Sequence, residues 1–346
     1  MIKRVQLLDT EFSSALDYLR SDNVSFSPSV LFAFSDVTRQ ELEEFAGVWT
    51  TLSVARRRRV ALAMADLAEE NIEADFNSLF RYLLDDEDAE VREQAINGLW
   101  EDEGVYLIKP LIGFMRSDAA ARVRAAAASA LGRFVFLTET KRIAPEYGDD
   151  IHTALLAVIR NTGEDPLVRR RAIESIAYVG DETVRDIIAS AYANDDALMR
   201  ASAIFAMGRS ADPYWRRTIA QELYSQDPQI RFEAARAAGE LEYKAAVPRL
   251  IELLEDADRE VQNAAITSLG QIGGKEAREA LEDVIESDDE VARELAQDAL
   301  DELEFGSGNQ MLLYDIGLAT DEEAILDEEF GEDLIVDEDD EQDEEE

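Results

Sequence analysis

The chain has 346 residues, 46% hydrophobic and 8% aromatic, with a net charge of -43 and no cysteine. Apolar content this high, mostly Ala, Leu, Ile and Val, excludes a wholly disordered chain and favours closely packed helices. The charge makes phosphate backbones and anionic membranes poor partners, and the missing thiols remove disulfides, thiolate metal sites and Cys nucleophiles.

The first residues, Met1 to Asp9, hold two basic residues with no apolar run behind them, so no signal peptide is expected. No run of 18 apolar residues marks a transmembrane helix, and a cytoplasmic setting is expected. Residues 1–74 read as a divergent helical cap. Ser25-Phe26-Ser27-Pro28 reads as a turn. Thr38-Arg39-Gln40-Glu41 reads as a capping box that opens a helix through Trp49, and Val54 to Glu69 reads as a second helix. Arg56 to Arg59 form a run of four arginines. On a helix they point around the whole circumference, so they make no single phosphate-binding face. Pairing with Glu69 and Glu70, or with the acidic C-terminus, is the expected use.

From residue 75 a repeat sets in. Val91, Val123, Val168, Met199, Ile230, Val261 and Val291 align at intervals of 32, 45, 31, 31, 31 and 30 residues. Three residues before most of them stands an Asp: Asp88, Asp165, Asp196, Asp227, Asp258 and Asp288. One residue after comes Arg92, Arg124, Arg169, Arg200 or Arg231, with Gln262 and Ala292 in the last two units. Four after comes Ala in six of the units, and nine after comes Gly132, Gly208, Gly239 or Gly270. The Asp is suited to capping a helix N-terminus, and Pro166 and Pro228 fit the first helical turn. The branched residue faces the core, and the Ala admits a neighbour. The Gly is expected to let the chain leave the helix. The Asp–Arg ladder is expected to cap helices and bridge neighbours, each exposed pair contributing ~0.5 kcal/mol.

Between these helices lie shorter amphipathic ones, such as residues 106–115 and 245–254. Each unit is therefore a hairpin of a helix A and a helix B, which must stack on others to bury its apolar face. The pattern Asp-x-x-Val-Arg-x-x-Ala, ending in Leu-Gly, resembles the short HEAT repeats of phycobilin-lyase-like proteins over residues 75–304. The resemblance implies a right-handed, all-α solenoid of about eight HEAT-type hairpins. It implies either protein binding or, as in bilin lyases, help in attaching or detaching a tetrapyrrole. No bilin-specific residue carries over.

The interval of 45 residues marks an insertion at 134–150, read as a surface loop or a longer turn, and as a binding loop in the sharper reading. Residues 305–346 read as a disordered acidic tail. From Gly306 on they hold 18 acids and no basic residue, interrupted by Met311-Leu312-Leu313-Tyr314 and Leu334-Ile335-Val336. The tail reads as a solubiliser or as a docking motif for a partner or for the array's own arginines.

The sequence names no catalytic, cofactor-binding or metal-binding residue, and no cofactor. Deoxyhypusine hydroxylases built on this repeat carry His-Glu pairs that hold iron, whereas His152, the one histidine, precedes Thr153. It is expected on a helix face. No Ser-His-Asp set, nucleophile elbow or phosphate loop appears. Trp100, Tyr214, Trp215 and Tyr224 are expected mainly in the core, with contact points as the alternative. The expectation is a non-enzymatic scaffold, adaptor or assembly factor for a protein partner with a basic surface, and not for nucleic acid or membrane.

Overall fold

The structure is a computed structural model that describes residues 12–21 and 27–315, with side chains described as far as Glu304. Two short helices, α1 (Phe12–Arg20) and α2 (Pro28–Phe32), precede eight helical hairpins among the described residues. The A and B helices are α3 (Arg39–Trp49) with α4 (Val54–Glu70), α5 (Asn77–Leu83) with α6 (Ala89–Gly98), and α7 (Ile108–Ser117) with α8 (Ala121–Glu139). Then come α9 (Pro145–Arg160) with α10 (Pro166–Ile176), and α11 (Glu182–Tyr192) with α12 (Ala197–Arg209). The last are α13 (Arg216–Glu222) with α14 (Pro228–Glu240), α15 (Val247–Leu253) with α16 (Arg259–Ile272), and α17 (Lys275–Ile285) with α18 (Glu290–Asp315). Each B helix packs on the next, which makes the stack a solenoid.

The expected caps form. Asp88, Asp196 and Asp258 each accept from two backbone N–H groups of the turn they open, and Asp165 and Asp227 from one. Pro166 and Pro228 occupy the first helical turn. The Thr38–Glu41 capping box is complete, with both reciprocal bonds present. Of the turn expected at 25–28, Ser25 and Phe26 lie outside the described residues, and Pro28 opens α2. The N-terminal end of the array is closed by a chain of rings, Phe12, Phe34, Phe45 and Trp49, with neighbouring centroids 5.3–5.6 Å apart.

Three expectations change. The last cap is Asp289, one residue later than expected: it accepts from the N–H groups of Val291 and Ala292 at 3.1 and 3.2 Å. Ala292 then takes the core position, Val291 is half exposed, and Arg293 takes the ladder position. The last interval becomes 31 residues, like those before it. Second, the insertion is mostly not a loop. α8 runs on to Glu139 and α9 starts at Pro145, so the extra chain lengthens two helices. The apolar run Phe134-Val135-Phe136-Leu137 explains this, because Phe134, Val135 and Leu137 are buried. Third, the glycines do not release the helix. They lie inside it, where the next B helix crosses. A Cβ on Gly208 would lie 2.8 Å from the Ala237 Cα, and one on Gly239 would lie 2.9 Å from the Ser268 Cα. The B row is thus packed backbone against backbone, which sets it on the inside of the curve. The A helices stand farther apart, and between α5 and α7 a wedge of about 650 Å³ opens, walled by Leu84, Tyr106, Pro110 and Phe114.

The last helix passes the boundary expected at 304/305 and ends at Asp315. The remainder of the expected tail, residues 316–346, lies outside the described residues, as do residues 1–11 of the expected cap.

Candidate functional site

The arginines of the repeat are structural. Arg231 Nε and Nη2 each donate at 2.8 Å to Asp256 of the next unit, while Nη1 donates to the carbonyls of Ser225 and Gln226 in its own turn. Arg92 does the same with Asp118 and with the Asp86 and Glu87 carbonyls. Gln262 and Arg293 keep the bond to the turn, through the carbonyls of Asp256 and Ser287. These forks are largely shielded from water, with Arg231 and Asp256 side chains only 14% and 8% exposed. They are not the exposed pairs the sequence suggests, and removing one partner strands a charge.

Three arginines of the four-arginine run are likewise engaged by the fold, with groups other than Glu69 and Glu70. Arg56 is buried and donates to the Tyr18 and Leu19 carbonyls at the end of α1, at 2.7 and 3.2 Å. Arg57 donates to both Asp86 oxygens and to Glu87, and Arg58 pairs with Asp88 and Glu90. The run clamps the first hairpin to the second. His152 is partly exposed on α9, an A helix, with Nε2 4.0 Å from Asp181. Among the described residues no group of three or more His, Asp or Glu is placed to hold a metal ion, and no helix is long and apolar enough to cross a membrane.

What the fold leaves over is the inner face of the B row. Counted from each cap, the residues five, nine and thirteen positions on escape the core in most units. In the middle of the array they gather arginines and rings. The Arg209 guanidinium lies 4.9 Å from the Phe205 ring centre and 5.6 Å from that of Tyr178, whose hydroxyl it also meets. The Arg236 guanidinium lies 5.1 Å from the Phe205 ring centre and 5.6 Å from that of Phe232. Phe136 packs on Tyr178 at 5.2 Å. Arg133 on α8 donates to the Trp100 carbonyl at 2.8 Å. Arg133, Arg171, Glu174, Tyr178, Phe205 and Arg209 line a cavity of about 350 Å³ across α8, α10 and α12.

The electrostatics of this cluster are unbalanced. Arg171 is matched by Glu174 at 2.6 Å. Among the described residues Arg133 has no carboxylate within ion-pair distance, and its Nε and Nη2 are shielded from solvent without an acceptor. The Arg209 Nε is also without a hydrogen bond, although Glu240 stands 3.4 Å away. Burial pushes the Arg133 guanidinium below its usual value, with Asp102 and Glu103 opposing it. Burial pushes Glu233 up to about 7, with Arg236 pulling the other way and Glu174 and Glu240 adding to the rise. Glu240 is raised by burial against the pull of Arg209 and Arg236.

Toward the C-terminus the same face changes. α16 presents Asn263, Thr267 and Gln271, and α18 presents Glu294, Asp298 and Glu302, with no ring at these positions. Of the four aromatics singled out in the sequence, Trp215 alone is core. Trp100, Tyr214 and Tyr224 are 45%, 64% and 60% exposed, the two tyrosines lying under Arg185 and Arg249. Sequence reasoning missed Arg133, Phe205 and Arg209. Their signal is their distance from the helix starts, nine residues for Phe205 and thirteen for Arg133 and Arg209, which becomes meaningful once the stacking of B helices is known.

A family model described as HEAT repeats matches residues 76–143, 153–214 and 217–301. Among solved structures, the chain is similar to YibA of E. coli at 20% identity, covering 70% of this chain and 96% of that one, with a TM-score of 0.41. Human deoxyhypusine hydroxylase, solved with glycerol, is 18% identical over 66% of this chain and 96% of its own, with a TM-score of 0.30. An engineered protein is 19% identical, covering 85% and 88%, at 0.37. No curated protein matches.

Proposed function

The chain belongs to the HEAT-repeat family, and we propose that it is a non-enzymatic scaffold, an adaptor or assembly factor, that holds a protein partner along its B-helix face. The observation that carries this reading is the surface change along one continuous face, from arginine and aromatic side chains at α8–α14 to carboxylates at α18. Arg, Tyr, Phe and Trp in half-buried positions are the residue types that anchor protein interfaces. The sole histidine lies on an A helix, away from this face.

The carboxylates of α18 favour a basic surface on the partner, which they would steer and orient. A cytoplasmic setting suits the cysteine-free chain.

The test is affinity capture with the full chain beside two charge variants, Asp298→Lys with Glu302→Lys, and Arg209→Glu with Phe205→Ala. Circular dichroism checks that both remain helical. A partner enriched by the parent and lost from either variant supports the reading. Equal enrichment by all three chains, or none by the parent, removes it.

A further inference from the structure

We propose that the Arg133–Arg209 cavity receives an acidic, apolar segment of polypeptide, and that residues 321–337 of this same chain occupy it. The proposal rests on the reading of the B-helix face as a binding surface, and it adds the ligand and a regulation.

The cavity's chemistry specifies the class of ligand. Its rings, Tyr178 and Phe205 with Phe136 at the rim, offer an apolar floor. Of the guanidinium groups that line it, Arg133 has shielded Nε and Nη2 that meet no acceptor among the described residues, and Arg209 has an Nε that makes no hydrogen bond and only Glu240, 3.4 Å away, as a counter-charge. A shielded donor without an acceptor is costly, an entering carboxylate recovers that cost, and a planar guanidinium binds a carboxylate by two parallel bonds. A ligand that fits must therefore carry carboxylates beside apolar side chains. The stretch from Asp321 to Asp337 has this composition: Ala324-Ile325-Leu326, Phe330 and Leu334-Ile335-Val336 alternate with acids, and no Lys or Arg occurs.

The segment reaches. The near wall of the cavity, α12, is three B helices from α18 and its far wall, α8, is five, roughly 30 and 50 Å at ordinary helix spacing. α18 ends at Asp315. The chain from there to Phe330 spans up to about 50 Å when extended. An intramolecular ligand meets its site at an effective concentration set by this tether, so weak contacts suffice and a partner must displace it. The carboxylates of α18 repel the segment and α16 offers it no cation at Asn263, Thr267 or Gln271, which favours docking at the arginine cluster.

The absence of native cysteine permits a direct test in the full chain. Dyes on Asn97→Cys and Gln342→Cys report the distance between the face and the end of the chain by energy transfer. The expected result is high transfer at low salt that falls in 1 M salt, since the contact is ionic. It also falls when Arg133 and Arg209 are changed to Glu, when Phe330, Leu334 and Ile335 are changed to Ala, and when synthetic peptide 321–337 is added. The tail variant leaves the folded array untouched, so a misfolded arginine variant does not decide the matter. Transfer unaltered by the tail variant and by peptide overturns the proposal. Transfer that rises with protein concentration overturns the intramolecular form, because a second copy is then the ligand. Partner capture is read separately, so loss of tail docking with capture intact removes this inference alone.

Discussion

The B helices α12 and α14 and the B helices α16 and α18 share one backbone plan and present different surfaces. All four open on an Asp cap. In each, the residue four positions after the cap binds the carbonyls of its own turn. All four press small residues against neighbours: Gly208 on Ala237, Gly239 on Ser268, Gly270 on Ala299. Yet nine and thirteen residues from the cap, α12 and α14 carry Phe205, Arg209, Arg236 and Glu240, while α16 and α18 carry Thr267, Gln271, Asp298 and Glu302. The difference teaches that one set of positions specifies the stack and another is free to specify the ligand.

The comparison breaks most sharply where the two sets are exchanged. Gly239→Leu forces a side chain into the Ser268 backbone and is expected to cost about 3 kcal/mol or more, read as a fall in the urea midpoint. Next, Arg231→Ala strands Asp256 and is expected to cost about 2–4 kcal/mol, with Arg231→Lys recovering only part because an ammonium cannot form the fork. An Arg231→Ala chain with parental stability would show the ladder to be ornamental.

A subtler effect belongs to Glu233. Its folded pKa stands near 7, above its ordinary value, so the folded state binds a proton that the unfolded state has released. Stability from this group is fullest below pH 4.5 and is lost as pH rises to about 7. Glu233→Gln is expected to stabilise the chain by about 2 kcal/mol at pH 8 and to flatten the slope of its melting temperature between pH 5.5 and 8. An unchanged slope would place the carboxylate in water. Smallest of all, Gln271→Arg on α16 is expected to shift stability by less than about 0.5 kcal/mol, although it extends the basic patch by one unit. Should that exposed change unfold the array, the division into two sets of positions would fail.

The stacking set was legible in the sequence because each of its members acts locally or recurs. Asp88, Asp196 and Asp258 bond within their own turn, and Val, Ala and Arg recur near every 31 residues. Misreadings arose where the cause lies one repeat away. Gly239 looks like a helix terminator until Ser268 is placed beside it. Asp288 and Asp289 are equivalent as written, and only Ala299 packing on Gly270 and Arg293 bonding to Ser287 choose between them. The candidate face was illegible for the same reason: Arg133, Tyr178 and Arg209 are 45 and 31 residues apart and share no motif.

The wedge between α5 and α7 gives the array a mechanical character. Backbones already touch along the B row, so that row can neither shorten nor thicken, and it acts as the neutral axis of a bent beam. Between α5 and α7 the A row has room to open or close. Curvature therefore changes by fanning the outer helices, as a spring with its stiffness on one edge. A ligand on the inner face would meet helices whose spacing is fixed by these contacts, and could change only the radius of the row.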